Sequence, residues 1–271
     1  MVDRLSSSTG RSIFGADVVG YHDARVGYPD ELYEAIGCRF RGGQIDAIGE
    51  IGPGTGHASV GLAQFSPHRF VGFEPDQSLV AYLRHKVPAM EVVGEDFMIS
   101  SVEGGFDLMA AAACFHWLDA APSLAKTHRL LRPGGCVALW WNVYREAGIG
   151  DPFAEAVMPL LDGIVLPPSE GDAGHYSLDW KLHFRQLVDA GFVDVRSFIF
   201  RRERSLTPQM ARDLYASFSF IRALEIWRRE PLLDDIADLV DKRFAGSAPT
   251  IILTPMYLAA KPMVEQALTG S

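Results

Sequence analysis

The stretch IDAIGEIGPGTGHAS, residues 45–59, decides how this chain is read. A short apolar run ends in three alternate glycines, Gly52, Gly54 and Gly56, and residues suited to a helix follow at once. A glycine turn from strand to helix sets backbone N–H groups and the positive helix end against a ligand, with no Cβ in the way. Spacing tests the familiar ligands. A G-x-G-x-x-G turn would need glycine at 57, where His57 stands, and no Gly-Lys-Ser/Thr follows for a phosphate loop. Neither a dinucleotide turn nor a P-loop fits.

Working outward, RFVGFE, MEVVG, FDLMAAA and GCVALWWN read as four further strands, apolar on both faces as in a sheet covered by helices on each side. Asp76 caps a helix with Leu79, Val80 and Leu83 on its buried stripe and Pro88 past its end. Another helix runs from about Ala120 to RPGG. Past Asn142 the alternation fails, and the glycines and prolines of 143–176 predict a long connection or partial lid. Ser177 is expected to cap a helix carrying Trp180, Phe184, Leu187 and Val188. FVDVRSFIFRRERSL then resumes as a strand. Thr207-Pro208 opens a helix bearing Met210, Leu214 and Phe218, Pro231 opens one bearing Leu233, Ile236, Val240 and Phe244, and PTIILTPMYLAAKP closes as a strand.

The predicted fold is α/β, a Rossmann-like, seven-stranded, mostly parallel sheet with helices on both faces, a helical N-terminal segment and lid insertions. Residues 1–40 form the N-terminal segment and 41–142 the binding core. Residues 143–271 complete the sheet, with cap insertions at about 143–176 and 206–248.

Composition narrows the function. At 271 residues, 48% hydrophobic and 22% charged, the chain is an ordinary globular protein, and its net charge of −9 argues against a nucleic-acid partner. Arg201, Arg202 and Arg204, broken by Glu203, read as the solvated side of a strand. Cys38, Cys114 and Cys136 are odd in number and widely spaced, with neither a disulfide framework nor zinc spacing, which suggests buried reduced thiols in a cytoplasmic protein. MVDRLSSSTGRSIFG has no apolar signal-peptide core, and DLMAAAACFHWL and TIILTPMYLAA are too short to span a bilayer. No acidic pair or His/Cys cluster at ligand spacing calls for a metal. Nothing in the sequence excludes a homo-oligomer.

Two downstream acids sharpen the glycine turn. Glu74 ends the second strand, where a carboxylate can accept both ribose hydroxyls. Asp96 follows the third, with Phe97 beside it as a flat apolar surface for a base. Together these describe a pocket for an adenosine lacking phosphates. The segments EIGPGTG, GFEPD, GEDF, AACFHW and LLRPGG resemble successive motifs of the class I S-adenosylmethionine (SAM) dependent methyltransferases. More narrowly, the chain is similar to their trans-aconitate-methyltransferase-like and UbiE-like small-molecule branch. YHDARVGYPDEL resembles the Y-x-x-x-R-P-x-Y-P segment ahead of the first strand there, with Val26 in place of proline. The resemblance spans nearly the whole chain and is densest over 44–142.

The resemblance implies SAM as cofactor. Glu50, Gly52, Gly54 and Gly56 would hold its methionine moiety, Glu74 its ribose, and Asp96 with Phe97 its adenine. Tyr21 and Arg25 would close over it, Arg25 meeting its carboxylate, and Pro75 and Ala113 complete the cofactor-binding set. The sulfonium already activates the methyl group, so the protein's main task is in-line placement of a nucleophile for SN2 displacement. Tyr21, Tyr28, Phe115 and Trp117 are candidate aromatic faces for the sulfonium, and each is equally explicable as core.

His116, after the fourth strand, is the catalytic candidate: a general base, or else a hydrogen-bonded histidine shaping the pocket floor. Asp119, His57 and His175 read as surface or cap residues. The expected partner is a small-molecule acceptor, bulky and apolar to judge from Phe153, Met158, Trp180, Phe218, Phe220 and Trp227 in the insertions, with core packing as the other explanation. Trans-aconitate itself would need several arginines that the sequence does not place. Two alternatives stand beside this reading. One is a SAM-binding relative that transfers no methyl group or promotes another reaction. The other, less favoured, is a nucleic-acid methyltransferase, whose Asn/Asp-Pro-Pro-aromatic motif is replaced by AACFHW.

Overall fold

The computed structural model describes residues 18–40, 43–144, 150–164, 170–171 and 174–263. Seven strands form one sheet: β1 (Ala47–Ile51), β2 (Arg69–Phe73), β3 (Glu91–Val93), β4 (Phe106–Ala112), β5 (Leu131–Trp140), β6 (Val193–Leu206) and β7 (Ala248–Ala260). Their order is β3-β2-β1-β4-β5-β7-β6. Pairing is parallel from β3 through β5 and antiparallel for β7 against both β5 and β6. The order reverses between β1 and β4, which opens a crevice at the carboxyl ends of those strands.

Period-two alternation builds both faces. Ile48, Leu108, Ala110, Cys136 and Ala138 point into one layer, and Met109, Ala111, Val137 and Leu139 into the other. Helices α1 (Val18–Ala24), α2 (Asp30–Arg39), α3 (His57–Ala63), α4 (Gln77–Lys86) and α5 (Ala120–Leu130) accompany the parallel half. Asp76 caps α4 as expected, accepting from Ser78 N at 2.8 Å and Leu79 N at 3.3 Å. Asp107, in β4 and almost wholly buried, fastens the entry of β1. Its Oδ2 accepts from Asp46 N at 2.7 Å and Ala47 N at 2.8 Å, while Arg132 pairs with its other oxygen.

Beyond β5 lie α6 (Pro152–Val157), α7 (Trp180–Asp189), α8 (Pro208–Ala216), α9 (Ser219–Arg222) and α10 (Ile226–Phe244). Helices α6 and α8–α10 share a separate core of Phe153, Tyr215, Phe218, Ile221, Leu233 and Ile236, forming a cap at one end of the sheet. Asp151 ties this cap to the sheet. Its Oδ1 caps α6, accepting from Phe153 N and Ala154 N, and its Oδ2 accepts from Thr250 Oγ1 and Ile251 N, both at 2.8 Å.

Five sequence expectations are corrected. Helix α7 is capped by Asp179, not Ser177, because Tyr176–Leu178 form a 3₁₀ turn whose Ser177 carbonyl accepts from Tyr257 Oη. Trp180 and Val188 are exposed on α7, and its buried side chains are His183 and Leu187. Helix α10 starts at Ile226, so Pro231 lies inside it; a 19-residue helix tolerates the one backbone donor that proline removes. Helix α5 stops just before RPGG as expected, at Leu130, but β5 begins at Leu131 instead of Gly135, and a register shift against β4 with the positive φ of Gly134 bends the strand entry. Of the thiols expected to be buried, the structure buries Cys136 but leaves Cys38 exposed.

The basic cluster of β6 is also not one solvated face. Arg201 pairs with Glu203, but Arg202 turns inward and donates to Gly27 O at 2.8 Å and Asn142 Oδ1 at 3.3 Å. Asn142 in turn donates to Val26 O and Gly27 O. These bonds pin the chain between α1 and α2 against the sheet, which fixes where α1 can sit.

Candidate active site

At the crevice between β1 and β4 lies a cleft of about 1020 Å³, open to solvent. Tyr21, Gly52, Gly54, Glu74, Pro75, Asp96, Phe97 and Ala113 line it, as the sequence reading expects of them. Tyr28 and Trp117 line it too. Phe115 does not: its ring is buried in the core under β4.

The glycines have different tasks. Gly54 has φ +59°, and a Cβ there would meet no protein atom within 4 Å, so it would project into the cleft. Gly52 has φ +58°, and its Cβ would stand 2.9 Å from Cys114 Cβ, so it is required by packing of the turn against the loop after β4. Gly56, also left-handed, is the residue before α3 and does not line the cleft.

Glu74 is almost wholly buried. One carboxylate oxygen accepts from Gly54 N and the other from Asp76 N, both at 3.0 Å, which locks the side chain to the glycine turn. The side chain lines the cleft from this fixed position. Asp96 accepts from Met98 N at 2.8 Å, holding its loop in a tight turn. Phe97 packs edge-on to Phe73, and Lys126 Nζ lies 5.1 Å from its ring centroid while donating to Met98 O and Ser100 O.

Glu50 sits beneath the turn, fully buried in β1, and does not line the cleft. Burial pushes its carboxyl up to about 8, with the Glu74 charge adding to the rise and the Ser59 hydroxyl opposing it. Neither of its oxygens has a hydrogen-bond partner of good geometry. Such an acid, under a glycine turn, is placed to receive a cationic donor.

Arg25 also lies off the cleft wall. Its guanidinium is 4.5 Å from the Phe218 ring centroid, 5.3 Å from that of Tyr144 and 5.5 Å from that of Tyr21, and it donates to Ser217 O at 3.2 Å. Arg25 therefore fastens α1 to the cap. Sequence reasoning missed the other fastening. His57, the first residue of α3, lines the cleft and stacks on His22 of α1 with centroids 4.2 Å apart, donating from Nε2 to His22 O at 3.0 Å. Burial, then the His22 charge, lowers the His57 pKa to about 4. No local pattern marks this pair, because the partners are 35 residues apart.

His116 occupies the 3₁₀ turn Phe115–Trp117, between the cleft-lining Cys114 and Trp117. Its Nδ1 accepts from Trp141 Nε1 at 3.2 Å. Desolvation by the surrounding protein lowers its pKa to about 4, with His175 contributing. Part of the residue keeps solvent-accessible surface, which limits that desolvation. Asp119 precedes α5 without a side-chain cap bond, and His175 faces Ser177 Oγ at 2.7 Å. Of the insertion residues expected near an acceptor, Phe153, Phe218 and Phe220 lie in the cap core, while Met158, Trp180 and Trp227 are exposed. None lines the cleft.

Comparison with known proteins agrees with this geometry. Residues 49–139 match the family described as a methyltransferase domain. A methyltransferase-like protein of Schizosaccharomyces pombe is 28% identical, over 84% of this chain and 87% of the relative. A Mycobacterium tuberculosis protein named as a methyltransferase is 24% identical, over 84% and 85%. The structure of a phosphoethanolamine N-methyltransferase from Haemonchus contortus, in complex with S-adenosyl-L-methionine, shares the fold with a TM-score of 0.55 and 15% identity. That match covers 94% of this chain and 60% of the Haemonchus chain. Residues 49–139 are a methyltransferase domain, and together with these relatives and solved structures they support a class I, S-adenosylmethionine-dependent methyltransferase.

Proposed function

We propose that this chain methylates a small-molecule acceptor with a substantially apolar body. The observation that carries the reading is the wall of the cleft: Tyr21, Tyr28, Phe73, Phe97 and Trp117 line it, with Glu74 and Asp96 as its acids and, among the described residues, no lysine or arginine. Helix α1 contributes Tyr21 to that wall and is fastened to the cap by Arg25. The small acceptor named for the Haemonchus enzyme supports the same size class. A cytoplasmic location and the absence of nucleic-acid partners belong to this proposal.

The residues fit the cofactor, since Gly54 opens the space and the carboxylate of Glu74 is fixed beside it by Gly54 N. Glu74 would hold the ribose, with Pro75 beside it, and Asp96 and Phe97 the adenine. The Gly52–Gly54 turn and Ala113 would face the methionine portion, with Glu50 beneath receiving its ammonium. When bound, SAM supplies an activated methyl group. Tyr21, Tyr28 and Trp117 exclude water and present ring faces toward a cation, each worth about 0.5–2 kcal/mol when desolvated. Arg25 acts through Tyr21 and the cap, not by touching the cofactor.

Incubation with methyl-labelled SAM and a fractionated metabolite extract tests the reading. Label is expected in a low-mass, organic-extractable product that survives protease and nuclease treatment. Label confined to protein or nucleic acid would overturn it.

A further inference from the structure

The bond from Trp141 to His116 fixes more than a ring orientation. An indole N–H only donates, so His116 Nδ1 must present its lone pair, and the neutral imidazole carries its hydrogen on Nε2. That Nε2 is not buried and makes no hydrogen bond among the described residues. Trp141, at the end of β5, is 2% exposed and cannot swing away. Tyr176 packs edge-on to it at 5.5 Å, and His183 lies against it at 5.2 Å. His183 is itself held by Tyr176 O, and Tyr257 by Ser177 O.

Adding a proton to His116 would set an N–H at Nδ1 directly against the indole N–H. The groups facing the ring are Trp141 from β5, His175 and Tyr176 from the 174–178 segment, and Trp117 from its own loop, with His183 of α7 behind Trp141. Among the described residues no carboxylate joins them to compensate an imidazolium. His57, which lines the cleft, spends its Nε2 hydrogen on His22 O.

We propose that Trp141 is a positioning residue that holds His116 as a fixed hydrogen-bond donor, and that Nε2–H orients an acceptor atom already carrying negative charge instead of removing its proton. The substrate class is then an acid ionised at neutral pH, such as a carboxylic acid, an enol or an acidic phenol. Its oxygen lone pair forms the bond to the methyl carbon, the carbon–sulfur bond breaks with its electron pair left on sulfur, and no proton is exchanged. This substrate class rests on the small-molecule reading above, whereas the tautomer of His116 does not.

Two arms keep these separate. In long-range proton–nitrogen NMR of the full chain labelled with ¹⁵N-histidine, His116 is expected as the Nε2–H tautomer across neutral pH. In Trp141→Phe, its titration midpoint should move toward the ordinary histidine value. An Nδ1–H tautomer, or an ordinary midpoint already present in the wild type, would overturn the proposal. In the second arm, labelled SAM is offered with decanoic acid and with 1-decanol. Label is expected in the ester alone. His116→Phe should lose about 10–100-fold in activity, and His116→Gln, which keeps a donor, should lose markedly less. Transfer to the alcohol that His116→Gln abolishes would overturn the donor role in favour of a base. Product from neither probe, with the tautomer as expected, would count against the ionised-acid class and the small-molecule reading, and leave the Trp141–His116 pairing standing.

Discussion

Glu50→Gln separates the cost of a functional acid from its use. The carboxyl is fully buried and moved from 4.5 to about 8, chiefly by desolvation. A displacement of that size corresponds to about 5 kcal/mol between the two protonation states. The sign follows from the direction. The fold favours the protonated acid, so its contribution is whole below pH 4.5, declines as pH rises, and is lost above about 8. Across that window the loss runs at about 1.4 kcal/mol per pH unit. Glutamine keeps the shape and cannot ionise, although its buried amide hydrogens carry their own cost of about 1–3 kcal/mol. The absolute stability of the variant at one pH is therefore uninformative, and the slope is the observable. Urea unfolding of the cofactor-free protein at pH 5, 6, 7 and 8 should show the variant gaining about 4 kcal/mol on the wild type over the series. At pH 8 the same variant should bind SAM about tenfold more weakly, having lost the carboxylate that would meet the ammonium. Stability curves that stay parallel across the four pH values would refute the reasoning, and equal SAM affinity would remove Glu50 from the binding set.

Three further outcomes are expected. Gly54→Val should abolish SAM binding in calorimetry while the protein still folds, because the side chain enters the cleft at φ +59° and meets no protein atom there; near-normal affinity would remove the glycine turn from the site. Asp151→Ala should lower unfolding free energy by about 3–5 kcal/mol in urea, since one carboxylate serves both the α6 cap and the β7 backbone. Lys126→Met should weaken S-adenosylhomocysteine binding roughly three- to tenfold, because its two bonds hold the loop carrying Asp96 and Phe97; unchanged affinity would make that loop self-supporting.

What the sequence disclosed follows from the range of the interactions involved. The strand-turn-helix at 45–59, the cap at Asp76 and the acids closing β2 and β3 are local patterns, so the sheet and the positions of both acids were readable in outline, whereas the bond from Gly54 N to Glu74 was not. Helix starts were less secure where capping candidates competed. Ser177 and Asp179 are both good caps on paper, and the bond from Tyr257 to the Ser177 carbonyl, 80 residues away, decides between them. The insertions misled for a related reason. Phe153, Phe218 and Phe220 look like pocket residues in a list, yet the cap needs a core of its own. Arg25 went wrong by a neighbouring distance: its aromatic partners in the cap are remote in sequence and draw it away from the cleft. The pairs His22–His57 and Trp141–His116 are likewise set by tertiary packing and leave no trace in spacing.

The central claim is that the cleft between β1 and β4 binds SAM with Glu74 on its ribose. A crystal grown with S-adenosylhomocysteine tests it most directly. The account predicts both ribose hydroxyls on the Glu74 carboxylate and the adenine against Phe97, with the sulfur beside the Gly52–Gly54 turn. A ligand bound with neither ribose hydroxyl on Glu74, or lodged outside this cleft, would contradict it.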